Sequence, residues 1–310
     1  MVKNHPIVLV QTILAVAFLA LSAREVSAHP GSGIVVDEKG QVFFQDSVGR
    51  VIWKIDAQGK LTKGIPGKGG HWMCLDTEGS FSRADLKLFE RITPVGVKPA
   101  LVFADGGSPL AVCRDGNLYY SSHISPDSDM APGGQRLTRM SPDGGRTPFA
   151  PALEKTLAKF DEGVTGLAAG PDGSLYVASP SAVLKVKMDG AVMTLVHPVV
   201  VTDCDENPAE VRRPYLRGLD VTPDGTVFVA ATGCRCVVKV TPDGRVSTVM
   251  RAERPWSPTG VAVHRGEVYV LEYTNPNGAP ADGWLPRVRK LGGDGKITIL
   301  ATVSRGGGDP

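Results

Sequence analysis

The sequence predicts an all-β protein, a six-bladed β-propeller of four-stranded antiparallel blades, from three observations. Short apolar runs of five to seven residues, rich in β-branched side chains and bounded by Gly, Pro and Asp, recur along the chain, which is the pattern of strands and not of helices. In the clearest copy, Leu216–Met250, four such runs (Leu216–Thr222, Thr226–Thr232, Val237–Thr241 and Arg245–Met250) alternate with Pro-Asp-Gly turns. Six related copies follow one another, the signature of a radial repeat.

Each copy opens with an innermost strand closed by a glycine turn: GIVVDEKG from Gly33, WMCLDTEG from Trp72, PLAVCRDG from Pro109, GLAAGPDG from Gly166, GLDVTPDG from Gly218 and GVAVHRG from Gly260. A second strand follows, ending at Asp46, Ser122, Ser179, Ala231 and Glu272 in five copies. In the second copy the matching stretch, FSRAD to Asp85, has little β character. Third and fourth strands meet at a further glycine turn, as in SPDG before Gly145 or TPDG before Arg245; the second copy departs from this at Thr93–Gly96. The copies span residues 31–303, a single domain within 29–310.

Composition bounds the partners. With 310 residues, 42% hydrophobic and 21% charged, the chain is able to bury a sizeable core. The net charge of +2 provides no basic stripe, which argues against nucleic acid. Residues 1–28 read as a signal peptide: Lys3, an apolar run Ile7–Leu21, and small residues at Ser27-Ala28. The expected location is therefore secreted or periplasmic, with a membrane association only if that segment stays uncleaved. In an oxidising compartment Cys204 is expected to pair with Cys234 or Cys236, while Cys74 and Cys113 read as buried small hydrophobes.

The pattern G-[IVL]-x-V-x-x-x-G-x-[IVL]-[YF]-V-A-[DS], followed by a strand and an x-Asp-Gly turn, resembles the NHL-repeat propellers and the related gluconolactonase and senescence-marker-protein propellers. The resemblance implies the fold across nearly the whole mature chain. It does not fix an activity, since these propellers include lactonases, lyases and binding modules. Gluconolactonase propellers typically hold a divalent cation on the channel axis through Glu, Asn and Asp at the starts of three innermost strands. The matching positions here hold His71, Arg217 and Thr259. An arginine does not ligate a metal, which puts a calcium site of that pattern in doubt.

Chain direction gathers the long connections, 123–135, 149–164, 199–215 and 274–286, on one face, called the top. The LEKTLAKF stretch within 149–164 has the pattern of a short helix. Register places His71 and Arg217 at the top mouth of the channel, points Asp220, further along the strand of Arg217, into the axial channel, and sets His123 and Glu272 by the mouth at the ends of second strands. Asp220 needs a partner, which Arg217 or a bound cation would supply. His71, His123 and Glu272 each have a structural alternative, as a strand cap, a solvated loop histidine and a backbone-bonding carboxylate.

Two functions fit these residues. The first is an extracytoplasmic binding propeller that holds a small molecule (anionic, if Arg217 faces the mouth), a glycan or a protein segment. The second is a divalent-metal-dependent hydrolase or lyase, lactonase-like or resembling the lyases of streptogramins and amidated peptides, with His71, His123, Asp46 or Glu272 holding the ion. No G-x-S-x-G elbow, H-E-x-x-H motif or phosphate-binding loop is present.

Overall fold

Six antiparallel sheets succeed one another along the chain in a computed structural model that describes residues 30–304, except 69, 78, 81–89, 93–99, 105–107, 124–134, 205–213 and 275–282. The expected signal peptide lies outside the described residues. Among the described residues no helix is long and apolar enough to cross a membrane.

Blade 1 is β1 (Ile34–Val36), β2 (Val42–Asp46), β3 (Val51–Ile55) and β4 (Leu61–Pro66), paired in sequence order. Blade 2 contains β5 (Trp72–Asp76), β6 (Glu90–Ile92) and β7 (Ala100–Ala104). Blade 3 is β8 (Leu110–Val112), β9 (Leu118–His123), β10 (Gln135–Met140) and β11 (Arg146–Phe149), and helix α1 (Pro151–Phe160) follows it. Blade 4 is β12 (Gly166–Ala169), β13 (Leu175–Ala178), β14 (Val183–Val186) and β15 (Val192–Val196). Blade 5 is β16 (Leu216–Val221), β17 (Val227–Ala231), β18 (Cys236–Val240) and β19 (Val246–Arg251). Blade 6 is β20 (Trp256–His264), β21 (Glu267–Thr274), β22 (Pro286–Leu291) and β23 (Ile297–Thr302). Five blades are thus four-stranded meanders, and the architecture is the expected propeller.

Blade 2 departs from expectation. Its order is β5-β7-β6, so the strand beside the innermost one is ALVFA and not FSRAD, whose residues lie outside the described ones. The apolar, β-prone run of β7 takes the position next to WMCLD, with the short β6 outside it.

The turns form as their residues dictate. In Pro223-Asp224-Gly225 the glycine adopts φ 82°, its N–H bonds the Thr222 carbonyl at 2.9 Å, and the Asp224 carboxylate accepts the Thr226 N–H at 3.2 Å. Helix α1 buries Leu153 and Leu157 in the core shared by blades 3 and 4.

The innermost strands pack side by side around the axis, and β20 returns to β1. Among the described residues closure uses no exchanged strand. Ile34, Phe44 and Trp53 of blade 1 share one hydrophobic core with Tyr269, Leu271 and Val288 of blade 6, and the Thr259 hydroxyl donates to the Gly31 carbonyl across the seam at 2.7 Å. At three of these approaches, between blades 4 and 5, 5 and 6, and 6 and 1, glycine is required. A Cβ on Gly260 would lie 2.2 Å from the Ser32 carbonyl oxygen, one on Gly166 would lie 2.2 Å from the Arg217 carbonyl oxygen, and one on Gly218 would lie 2.7 Å from Gly260 Cα.

Below this glycine tier the channel widens to about 280 Å³, walled by all six innermost strands. Asp220 is the carboxyl side chain in that wall among the described residues. Its Oδ1 accepts the Val221 N–H at 2.8 Å and its Oδ2 accepts the Val263 N–H at 2.7 Å, tying blade 5 to blade 6. Burial pushes its pKa up to about 6, partly offset by those two N–H groups. The expected ion pair with Arg217 does not form, because Asp220 lies below the tier and bonds backbone while Arg217 lies above it.

Glu272 is fully buried between two buried guanidinium groups, 2.5 Å from Arg287 Nε and 2.5 Å from Arg289 Nη2, and Arg287 stacks 4.1 Å over the Trp256 ring. A disulfide joins Cys204 to Cys234, one of the two pairings expected from sequence, and leaves Cys236 buried on β18.

Two outcomes follow from these contacts. Glu272→Ala leaves two buried guanidinium groups with the exposed Glu253 in place of their buried carboxylate, and urea unfolding should show a loss of about 3–5 kcal/mol. The folded chain takes up a proton at Asp220 at higher pH than the unfolded chain, in which the group titrates near 3.8. The contribution of Asp220 to stability is therefore greatest at low pH and declines as the pH rises from about 4 to about 6, with no further change above. Unfolding free energies of Asp220→Asn measured across that window should lack this slope; an unchanged slope would place the titration elsewhere.

Candidate functional site

The starts of the first and third strands and the ends of the second strands converge above the glycine tier on a concavity of about 370 Å³. Blade 1 contributes Pro30, blade 2 His71 and Trp72, and blade 3 Gln135. Val164 and Thr165 come from blade 4, Tyr215, Arg217 and Thr232 from blade 5, and Ser257, Thr259, Tyr273, Thr274 and Trp284 from blade 6. This is the top face to which the sequence assigns the long connections.

Arg217 is the one formally charged side chain in that wall among the described residues. It is half-buried, donates one N–H from Nη2 to the Pro30 carbonyl at 2.9 Å, and meets no carboxylate among the described residues. Burial lowers its pKa from the ordinary guanidinium value, with the nearby Tyr215 and Tyr273 acting in the opposite sense. An arginine remains protonated at neutral pH even so. A desolvated guanidinium with unspent donors is an anion site, since its fork matches the two oxygens of a carboxylate.

Most other polar groups of the wall are already engaged. The hydroxyl of Thr232 donates to the Pro258 carbonyl at 2.7 Å, and that of Thr259 to Gly31. Thr274 Oγ1 accepts the Leu285 N–H at 2.9 Å, and the Tyr273 hydroxyl donates to the Gln45 carbonyl. Gln135 Oε1 accepts the Val164 N–H at 2.6 Å. Thr165 Oγ1 is buried and has no partner among the described residues, and Gln135 Nε2 has none either. Burial without a partner is costly to a hydroxyl, so Thr165 marks a place where a ligand atom or water belongs.

The residues proposed from sequence are thus divided. His71 and Arg217 line the mouth together. Asp220 sits in the separate lower chamber, and Glu272 is enclosed inside blade 6. Asp46 is also buried, accepting the Gly49 N–H at 2.7 Å and facing Trp53 Nε1 at 3.5 Å. His123 ends β9 in register with Gln135; its side chain lies outside the described atoms. Of the three candidate metal ligands whose side chains are described, His71, Asp46 and Glu272, His71 is the one at the mouth. Among the described residues no three His, Cys, Asp or Glu side chains come together, so the donor set present does not fit the divalent cation that the resemblance implies.

The sequence reading missed Gln135, Tyr215, Thr232, Thr274 and Trp284. Thr232 follows the last residue of β17 and Thr274 ends β21, so a shift of one or two residues along the second strands would have found them. Tyr215 holds a left-handed φ of 49° at the entry to β16, and Trp284 follows a connection; neither position has a periodic signal.

No family model and no curated protein sequence matches the chain. Solved structures do. A luciferin-regenerating enzyme superposes with a TM-score of 0.54 at 14% identity, covering 92% of this chain and 96% of its own. A putative gluconolactonase gives 0.52 at 18% identity over 88% and 90% of the two chains. A gluconolactonase from Xanthomonas campestris gives 0.51 at 18% identity over 81% and 89%. At these identities the likeness concerns architecture: the chain has the propeller fold of the gluconolactonase-like proteins.

Proposed function

We propose that this chain is an extracytoplasmic binding propeller that holds a small anionic ligand in the concavity of its top face. One observation carries the reading: Arg217 is half-buried at the mouth, with unspent donors and no carboxylate partner among the described residues. The ligand's oxygens would meet the guanidinium fork, with the unpartnered Thr165 hydroxyl and Gln135 Nε2 as neutral donors beside it. The disulfide and the apolar N-terminal run support an oxidising location.

A second reading, a lactonase-like hydrolase or lyase, draws its support from the fold shared with two proteins described as gluconolactonases. The mouth residues give it less support, because the carboxylates expected to hold a cation are enclosed within blades 1 and 6. Elemental analysis separates the two, since a stoichiometric divalent cation that survives purification without added metal would favour the enzyme.

The binding reading is tested at Arg217. Calorimetric titration with simple carboxylates should show saturable binding that Arg217→Gln weakens at least about tenfold, the range of a lost charge-assisted hydrogen bond. Thermal unfolding should move little. Equal affinity in the two proteins would return Arg217 to a structural role.

A further inference from the structure

We infer that the ligand of the top-face site is a monocarboxylate with a flat aromatic body, a conclusion that rests on the anion-binding reading above. Three features of the wall select it. The first is charge: one guanidinium faces the cavity and no second guanidinium or ammonium group joins it among the described residues, which suits one carboxylate better than two. The second is the shortage of neutral hydrogen-bonding groups. Four of the wall's hydroxyls are committed to the protein's own backbone; Thr165 Oγ1 and Gln135 Nε2, linked through the Val164 N–H that Gln135 accepts, are among the few groups left to a ligand, with the Tyr215 and Ser257 hydroxyls. A polyhydroxylated acid brings five or six hydroxyls that must exchange water for protein partners, and each one left unsatisfied in a concave site weakens binding. An aromatic body has no such requirement.

The third feature is the remaining surface. Trp72, Tyr215 and Trp284 lie around the same opening as Arg217, and Tyr215 is 47% exposed despite its left-handed backbone. Tyr215 is open to solvent, Trp284 is partly buried and Trp72 is a buried edge of the wall, so Tyr215 and Trp284 offer the stacking faces to a planar group whose carboxylate reaches the guanidinium. The volume of about 370 Å³ lies at the small end of ligand pockets, enough for one or two fused rings and not for an oligomer.

The test uses the mature chain and four probes in isothermal calorimetry: naphthalene-2-carboxylate, its neutral carboxamide, gluconate and acetate. Naphthalene-2-carboxylate should bind at least about tenfold tighter than gluconate or acetate, the scale of one or two stacking contacts. The carboxamide should bind at least about tenfold more weakly than the carboxylate, reflecting the lost charge on the fork. Tyr215→Asn, a residue type that tolerates the left-handed backbone, and Trp284→Ala should each lower the ratio of naphthoate to acetate affinity. Tyr215→Asn is the variant that keeps the test sound if Trp284→Ala fails to fold, since Trp284 packs against the blade 6 core. Gluconate binding as tightly as naphthoate, with both affinities dependent on Arg217, would overturn the aromatic inference and leave the anion site standing. Failure of every carboxylate to bind would overturn both. Equal binding of naphthoate and carboxamide would show an aromatic site without a carboxylate subsite, and would also overturn the inference.

Discussion

The contact on which the rest of the molecule depends is the approach of neighbouring innermost strands at the glycine tier. With carbonyl oxygens 2.2 Å from where a Cβ would stand on Gly166 and Gly260, and with Gly218 set against the Cα of Gly260, no side chain is accommodated without moving backbone. That closeness sets the radius of the ring. It also divides the axis into an upper concavity and a lower chamber that share no lining residue. The chemistry of each chamber is then decided by a neighbour of one glycine: Arg217 immediately before Gly218 faces the upper space, and Asp220 two residues after it faces the lower. Opposite charges three residues apart on one strand are kept from pairing by the tier between them.

Much of the fold was legible because propeller strands are short, alternate regularly and end in turns that demand particular residues. Asp and Gly in Pro-Asp-Gly meet a hydrogen bond and a positive φ, respectively, and neither requirement depends on the rest of the protein. Blade 2 was less legible because its copy has a weak second run, and β7 takes that place in the sheet. Strand order is a competition among runs, and a local pattern states only how well each run competes.

The site was legible in part for a similar reason. Thr165, Arg217 and Thr259 stand immediately ahead of the innermost glycines and His71 stands at the equivalent start of β5, and register alone places all four at the mouth. Residues at the ends of second strands are not placed in this way. The same reading set Glu272 at the mouth, whereas it faces Arg287, its partner across β21 and β22, and Arg289 two residues on. The Arg-x-Arg spacing in β22 puts both guanidinium groups on one face of that strand, and this was the available sign that Glu272 would be used inside the blade. Asp46 is held in the same way by a turn amide.

The chain begins its path through the ring at a particular place. Pro30 is part of the mouth, its carbonyl holds Arg217, and four residues later β1 descends along the axis. At the other end, β23 is the outermost strand of blade 6, far from the axis in the order of its sheet. Any peptide fused ahead of Pro30 therefore emerges beside the guanidinium, whereas one fused after Ser304 leaves from the rim of the disc. A handle or reporter joined directly ahead of Pro30 starts beside the doorway that a ligand must use, whereas one joined after Ser304 starts at the outermost strand of blade 6.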